Sequence, residues 1–342
     1  MPDIYDELLQ ETFLSYQQGC AKNHHISPQI SGDIFSEKLQ TLTSINLPLY
    51  DQLLLRRYDN AREQGLIAAR RRQLAVAQQL FEEARTPLEM DKLSNEGKLL
   101  HQSFLEQSEA YLDYRQNNFE QVYHRTDAAL ALDVVLQSEY GYDILLMHRI
   151  QLLHNLVRTE ARRMNFEKAI ILASELLNYL DGNLESLSTP HPWGSEALAK
   201  QPQELICAMF AQIASEIALI LTAQSRNNVH HLLKIVAKYM HLSANNCHLC
   251  HPRAHSWFLL KQAIAQNNID SFLQRATIFL AEGIADTPLL WYSTILDWLD
   301  LCSRLGRVNL SQEIAADAVI SNYFPRQMIP LFHKYLHIKK LQ

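Results

Sequence analysis

Arg115-Gln116-Asn117-Asn118-Phe119, Arg163-Met164-Asn165-Phe166, Arg226-Asn227-Asn228-Val229 and Ala265-Gln266-Asn267-Asn268-Ile269 share one short pattern, a polar turn containing Asn and then an apolar residue. Each lies between two amphipathic segments, and Arg304-Leu305-Gly306-Arg307-Val308 is a weaker fifth instance. Counted from the apolar residue, a second apolar residue sits three positions on in the first four: Val122, Ala169, Leu232 and Phe272. A small or apolar pair sits ten and eleven on in all five: Ala129-Leu130, Leu176-Leu177, Tyr239-Met240, Phe279-Leu280 and Ala318-Val319. Helix–turn–helix units that bury their apolar faces by stacking on neighbours produce such repetition.

These offsets resemble the second helix of a tetratricopeptide repeat, which has a turn, an aromatic residue, a small residue three on and an Ala ten on. Phe166-Glu167-Lys168-Ala169 is most similar, with Phe119-Glu120-Gln121-Val122 and its Ala129-Leu130. The anchors lie 47, 63, 40 and 39 residues apart, longer than the roughly 34 of that family. Ala110 and Val157 occupy the small position of the first helix, but the expected Trp and Tyr are missing. The resemblance implies a degenerate, long-repeat member of the class: an all-α, right-handed α-solenoid over residues 99–322. An N-terminal helical region over 1–98 and a basic capping helix or tail over 323–342 complete the expected organisation.

Composition agrees with a helical chain. Only 9 of 342 residues are Gly and 11 are Pro. The closest glycines, Gly182 and Gly194, are twelve positions apart, so neither a G-x-G-x-x-G fingerprint, nor a P-loop, nor a G-x-S-x-G elbow can be written. Hairpin-rich sheets need more turn residues than this. Residues 3–16 read as a short helix, Gln17 to Ser36 as a mobile connector with Gly19, Pro28 and Gly32, and Leu49 to Arg85 as long helices. Asp181 to Glu204, with three Pro and two Gly, reads as a loop inserted between repeats. Within it, His191-Pro192-Trp193 is either a lid or a surface connector with Trp193 packed for stability.

The acidic start of the chain is unlike an export signal, and five cysteines suggest reduced thiols in a cytoplasmic setting. Leu205 to Ala223 is apolar, but Gln212, Ser215 and Glu216 interrupt it, so it reads as a buried amphipathic helix and no membrane span is expected.

The charge distribution is the sharpest functional signal. Between Glu216 and Asp270 there is no Asp or Glu, where the chain's own frequency of 37 in 342 predicts about six. The same window holds Arg226, Lys234, Lys238, Arg253, Lys261 and six of the fifteen histidines. Residues 1–216 carry 19 basic and 30 acidic side chains, so the net charge of −6 conceals polarity along the chain. A positive field on an acidic protein focuses anions. His230, Lys234 and Lys238 recur at helical spacing and form a basic stripe, facing either a ligand or the chain's own acidic helices. Asn228, His231, Lys234, Lys238 and Arg253 are the ligand-binding candidates, with Asn117 and Asn118 as ligand-facing amides.

Cys247-His248-Leu249-Cys250-His251 matches the C-x-x-C-H haem pattern, set aside for want of an export signal. Cys247, Cys250, His251 and His255 offer thiolate and imidazole ligands for Zn, although no second Cys pair follows. Otherwise no cofactor is implied. Asp297 and Asp300 share a helical face beside Trp298 and read as solvated. Arg56-Arg57 and Arg70-Arg71-Arg72 alternate with Asp59 and Glu63, which favours a salt-bridged helix over a nucleic-acid surface. No DNA-reading helix-turn-helix is visible in residues 1–98.

The leading expectation is a non-catalytic scaffold whose concave face binds a carboxylate-bearing peptide or protein segment. A second copy of the chain is also a compatible partner. Two alternatives stay open: a metal-dependent or histidine-based helical enzyme centred on residues 247–255, and a peptide-sensing regulator.

Overall fold

A helix leaves its last carbonyls without partners, and a left-handed residue just past its end lets the chain turn back onto them. The computed structural model describes residues 5–23, 33–85, 90–240, 250–321 and 324–336. Among the described residues all regular structure is helical, with sixteen α-helices and no strand, so the protein is all-α.

The chain divides into two units, Ser31–Ile206 and a discontinuous one of Met1–Ile30 with Cys207–Gln342. The first holds α2 (Ile34–Asn46), α3 (Leu49–Arg70), α4 (Leu74–Arg85), α5 (Asn95–Gln116), α6 (Phe119–Tyr140), α7 (Leu145–Arg162), α8 (Phe166–Leu180) and the short α9 (Ser195–Ala199). The second holds α1 (Asp6–Asn23), α10 (Gln203–Thr222) from Cys207 on, α11 (Arg226–Met240), α12 (Pro252–Ala265), α13 (Ile269–Ala281), α14 (Pro288–Arg304), α15 (Val308–Ile320) and α16 (Ile329–Leu336). This division differs from the boundaries expected at 98 and 322.

Four of the five anchors are the first residues of helices: Phe119, Phe166, Ile269 and Val308. Before each, one residue takes a positive φ: Asn117 (65°), Met164 (65°), Asn267 (59°) and Gly306 (76°). The next N–H then donates to the carbonyl five residues back, from Asn118 to Asp113, Asn165 to Glu160, Asn268 to Ala263 and Arg307 to Cys302, at 2.8–2.9 Å. In the second turn the left-handed residue is Met164, not an Asn. Asn165 instead donates its side-chain amide to Glu160 Oε2 at 2.8 Å.

Two corrections follow. The long helices expected over 49–85 are α3 and α4, joined by the same turn, with Arg72 at φ 65° and Gln73 N–H donating to the Ala68 carbonyl at 2.9 Å; the correction is that Arg70 to Arg72 end α3 rather than continue a salt-bridged face. Arg226-Asn227-Asn228 is not a turn but the first turn of α11, because Val229 N–H already bonds the Ser225 carbonyl at 2.9 Å. Val229 is therefore the fourth residue of its helix, although Leu232, Val236 and Met240 keep the buried register counted from it.

The buried faces follow the turns. Three, seven and ten positions beyond the first residue of α4, α6, α8, α13 and α15 stand Ala77/Phe81/Ala84, Val122/Thr126/Ala129, Ala169/Ala173/Leu176, Phe272/Ala276/Phe279 and Ser311/Ala315/Ala318, every one buried. Most are small, which lets the paired helices approach closely.

Gln17 to Asn23 belong to α1 rather than to a connector, while residues 24–32 lie outside the described residues. The α1 helix packs on α13 and α14. Tyr16 stacks on Trp291 at 5.6 Å and donates to Asp317 at 2.6 Å, Phe13 and Tyr16 meet Trp298, and Asn23 accepts from Ile284 N–H at 2.7 Å. Burial, then Cys20 and Asp317, push the Tyr16 phenol well above its ordinary range.

The inserted loop is packed. Trp193 is buried beneath the Arg149 guanidinium at 4.6 Å, Arg149 donates to the Pro192 carbonyl at 2.7 Å, and Tyr179 donates to the Gly194 carbonyl at 2.9 Å. The helix Gln203–Thr222 is long and apolar enough to cross a membrane by length and composition; its Phe210, Ile213, Ile217 and Ile220 are buried. Towards the end of the chain, Phe324 and, from α16, Phe332 close over Tyr292.

The tightest approach in the α1 interface is at Gly19, where a Cβ would stand 2.0 Å from the Leu280 carbonyl oxygen. Gly19→Ala is expected to cost about 2–3 kcal/mol in urea unfolding, the range of other backbone clashes in packed interfaces. Gly194→Ala, with nothing within 4 Å of its Cβ, is the control. Equal stability of the two variants would show that α1 does not dock through this face.

Candidate functional site

The ligand-binding candidates fall in both units: Asn117 and Asn118 in Ser31–Ile206, the others in the second. Asn117 is the left-handed residue that ends α5, and Asn118 turns its amide onto Gln116 at 3.1 Å and Asp113 at 3.4 Å. Both are exposed, with local structural work to do.

The residues that the structure does bring together are on α11. Leu232, Leu233, Val236 and Met240 form its buried face. On the opposite side Asn227, His231, Lys234 and Lys238 follow one another at i, i+4, i+7 and i+11, all exposed. Asn228 is exposed at the helix start, its amide 3.5 Å from Gln224 Oε1. Among the described residues no carboxylate stands within ion-pair distance of Lys234 or Lys238; the one contact of Lys238 is the ring of its neighbour Tyr239. His230 lies between the two faces, half-buried.

Arg253 behaves differently. Its Nε donates to Thr287 at 2.8 Å, while its two terminal nitrogens reach Glu282 and the Gly283 carbonyl. The guanidinium also covers the Phe279 ring at 4.3 Å. The reason is tertiary: α12 begins beside the end of α13, so the one cation of that helix start neutralises the carbonyls and carboxylate of its neighbour. Lys261 is likewise buried, bonded to both Asp297 oxygens at 2.7 and 2.8 Å. Asp297 is therefore not a solvated carboxylate. Burial raises its pKa and Lys261 pulls it back.

Of the four metal-ligand candidates, Cys247 lies outside the described residues. His251 caps α12, its Nδ1 accepting from Ala254 N–H at 3.2 Å and its Nε2 lying 2.8 Å from Asp286. Both ring nitrogens are thus engaged in holding the helix start, and the hydrogen bond with His251 draws the Asp286 carboxyl below its usual range. His255 packs on the Phe210 ring at 5.2 Å. Cys250 brings its Sγ to 3.9 Å from Cys207 Sγ of α10. Among the described residues no group of three or more His, Cys, Asp or Glu is placed to hold a metal.

The first unit contains features that the sequence reading missed. Gln107, Tyr111 and Tyr114 of α5 face Asn155 and Arg158 of α7 across a groove floored by Val122. Their i, i+4, i+7 and i, i+3 spacings were available as a signal, but α5 is so rich in buried polar residues that no single stripe stands out. A larger cavity of about 530 Å³ lies between α2, α3 and α5, bordered by Phe35, Leu39, Arg56, Asp59, His101 and Phe104. Beneath Phe104, Ser103 Oγ donates to Asp133 at 2.6 Å and His148 Nδ1 meets the same carboxylate at 2.7 Å. The hydroxyl bonds the carboxylate and not the imidazole, so this is a buried bridge between helices and lacks the order of a nucleophile relay.

No protein-family model, curated protein or solved structure matches the chain.

Two measurements check these assignments. His251→Ala, which removes the cap and the Asp286 contact, is expected to cost about 1–2 kcal/mol in urea melts, and His251→Asn, which can still cap, about half as much. Equal losses from both would remove the capping role. On α7, burial, and secondarily Arg158, hold His154 at a pKa of about 3. The unfolded imidazole titrates near 6.5, so the unfolded chain binds the extra proton between those values. Stability then falls as pH drops from about 6.5 towards 3, by up to about 1.4 kcal/mol per pH unit. His154→Leu should flatten that limb; an unchanged slope would show that His154 does not cause it.

Proposed function

We propose that this chain is a non-catalytic helical scaffold of the tetratricopeptide-like class that binds a carboxylate-bearing peptide or protein segment, with the exposed face of α11 as the contact. The single observation that carries the reading is the row of Lys234 and Lys238, solvent-facing and, among the described residues, with no carboxylate at ion-pair distance. Arg125, Lys261 and Arg253, by contrast, pair with carboxylates on neighbouring elements of the protein. A cationic row left out of that pairing keeps its field for an external anion. The repeat class is supported by the four turns of one hydrogen-bond geometry, by the fifth at Arg72, and by the shared buried positions that follow them.

The test is binding of a fluorescein-labelled Glu-rich peptide to the full chain, read by fluorescence polarisation over a salt series. Lys234→Glu with Lys238→Glu is expected to weaken binding about tenfold at low salt, from roughly 0.5–1 kcal/mol per exposed charge contact, and to lower the salt slope. A Lys-rich peptide should prefer the doubly substituted chain. Unchanged affinity and salt slope would remove α11 as the contact.

A further inference from the structure

The start of α10 and the residue before the α12 cap bring two thiols together across 43 positions of sequence. Cys207 Sγ donates to the Cys250 carbonyl at 2.9 Å, and the two sulfur atoms are 3.9 Å apart. Both residues keep partial access to solvent. The other described thiols differ: Cys302 is fully buried, and burial pushes it up to about 12, while Cys20 is raised to about 11, chiefly by burial, beside Asp317. Only the Cys207 and Cys250 pair joins proximity to access among the described residues. A disulfide requires sulfur atoms about 2.05 Å apart, so the remaining gap is under 2 Å, within the sweep of a cysteine side-chain rotation.

We propose that Cys207 and Cys250 form an oxidisable dithiol, closed to an intramolecular disulfide by exchange with a small-molecule disulfide such as oxidised glutathione. One protein thiol loses its proton and attacks a sulfur of oxidised glutathione, expelling the first glutathione thiolate and leaving a mixed disulfide. The second protein thiolate attacks the protein sulfur of that bond and expels the second glutathione. In balance, two protein thiols lose two electrons and two protons, and one oxidised glutathione becomes two reduced ones. The new bond closes a loop from α10 through α11 back to the start of α12, tethering the segment that carries Lys234 and Lys238 at both ends. The dithiol stands independently of whether that face binds an acidic segment.

The experiment incubates the full chain with oxidised glutathione, blocks residual thiols with N-ethylmaleimide and maps the peptides by mass spectrometry. The expected result is a cross-link, two hydrogens lighter than the free peptides, between Gln201–Arg226 and Tyr239–Arg253. Trypsin leaves Cys247 and Cys250 on one peptide, so cleavage after Leu249 is added to separate them in the wild-type protein. The link should persist in Cys247→Ser, vanish in Cys250→Ser and Cys207→Ser, and raise the thermal midpoint by several degrees until dithiothreitol reverses the shift. A link that runs to Cys247, a bond confined to Cys247 and Cys250, or no link at all would overturn the proposal. So would one equivalent of zinc that shields both thiols and leaves on thiol blocking. Because the wild-type map decides the pairing, a Ser variant that fails to fold leaves the outcome intact.

Discussion

The structure depends on how helices are ended. Each α-helix presents unpaired carbonyls at its C-terminus, and six times among the described residues they are met by one left-handed residue and an N–H returned to the carbonyl five back, five times leading straight into the next helix and once, at Gly182, into the inserted loop. That geometry reverses the chain within two or three residues. It also sets the azimuth of the next helix, so the positions three, seven and ten beyond its start must face inward. The small residues found there, Ala77, Ala129, Ala169, Ala276 and Ala315 among them, follow from the turn as much as from hydrophobicity. At Arg72 and Met164 the same φ is imposed on side chains that do not favour it, at about 1 kcal/mol each. Return of the carbonyl bonds and burial of the following face outweigh that cost.

Charge is handled by internal pairing. Arg125 of α6 reaches Glu106 at 2.8 Å and Asp113 at 2.7 Å on α5 and also contacts Glu109, which Arg85 of α4 meets from the other side. Three carboxylates on successive turns of one helix would repel one another without those guanidiniums. Removing a single partner from such a network costs more than the network contributes, since a buried charge is left exposed to low dielectric. The acidic excess of residues 1–216 is thereby partly spent inside its own unit. Against that pattern, the lysines of α11 stand out by where they point rather than by their number.

The all-α class and four helix starts were legible in the sequence: Asn117, Asn267 and Gly306 are residue types that tolerate positive φ and stand just ahead of an apolar residue, while before Phe166 the polar Asn165 marked the turn although Met164 is the left-handed residue. The turn at Arg72 was illegible for the complementary reason: a run of arginines carries no left-handed preference, and the small residues of α4 had no turn signal to count from. The reading of 226–228 as a turn failed because Ser225 already supplies the carbonyl on which α11 begins. Within the candidate site, the absence of carboxylates could be counted from the sequence. The fate of each cation could not, because Arg253 and Lys261 are drawn inward by Glu282 and Asp297, thirty or so residues away, while among the described residues no carboxylate reaches Lys234 or Lys238. The approach of Cys207 to Cys250 is tertiary in the same sense.

The discontinuous unit joins the two ends of the sequence, and the connector expected at 17–36 shows why that was hard to read. Residues 17–36 contain Gly19, Pro28 and Gly32 and so look like a connector, yet Gly19 is present because a helix needs it. With no Cβ it lets α1 approach the carbonyl at the end of α13, and Gly283, at φ 78°, makes room in turn for Asn23, whose side-chain oxygen is 2.5 Å from where a Cβ would stand. A glycine that permits two backbones to touch has the same letter as one that permits a turn. What separates the cases is the pattern around it: Thr12, Tyr16, Gly19 and Asn23 recur at helical spacing and are all buried. The groups they meet, the side chains of Thr277 and Trp291 and the backbone N–H of Ile284, lie more than 250 residues further along the chain. The contact therefore has to form late in sequence terms and closes a long loop, which costs little more than a shorter one would because loop entropy grows only logarithmically. That weak dependence is what allows a helix from the start of the chain to complete the core of its last third.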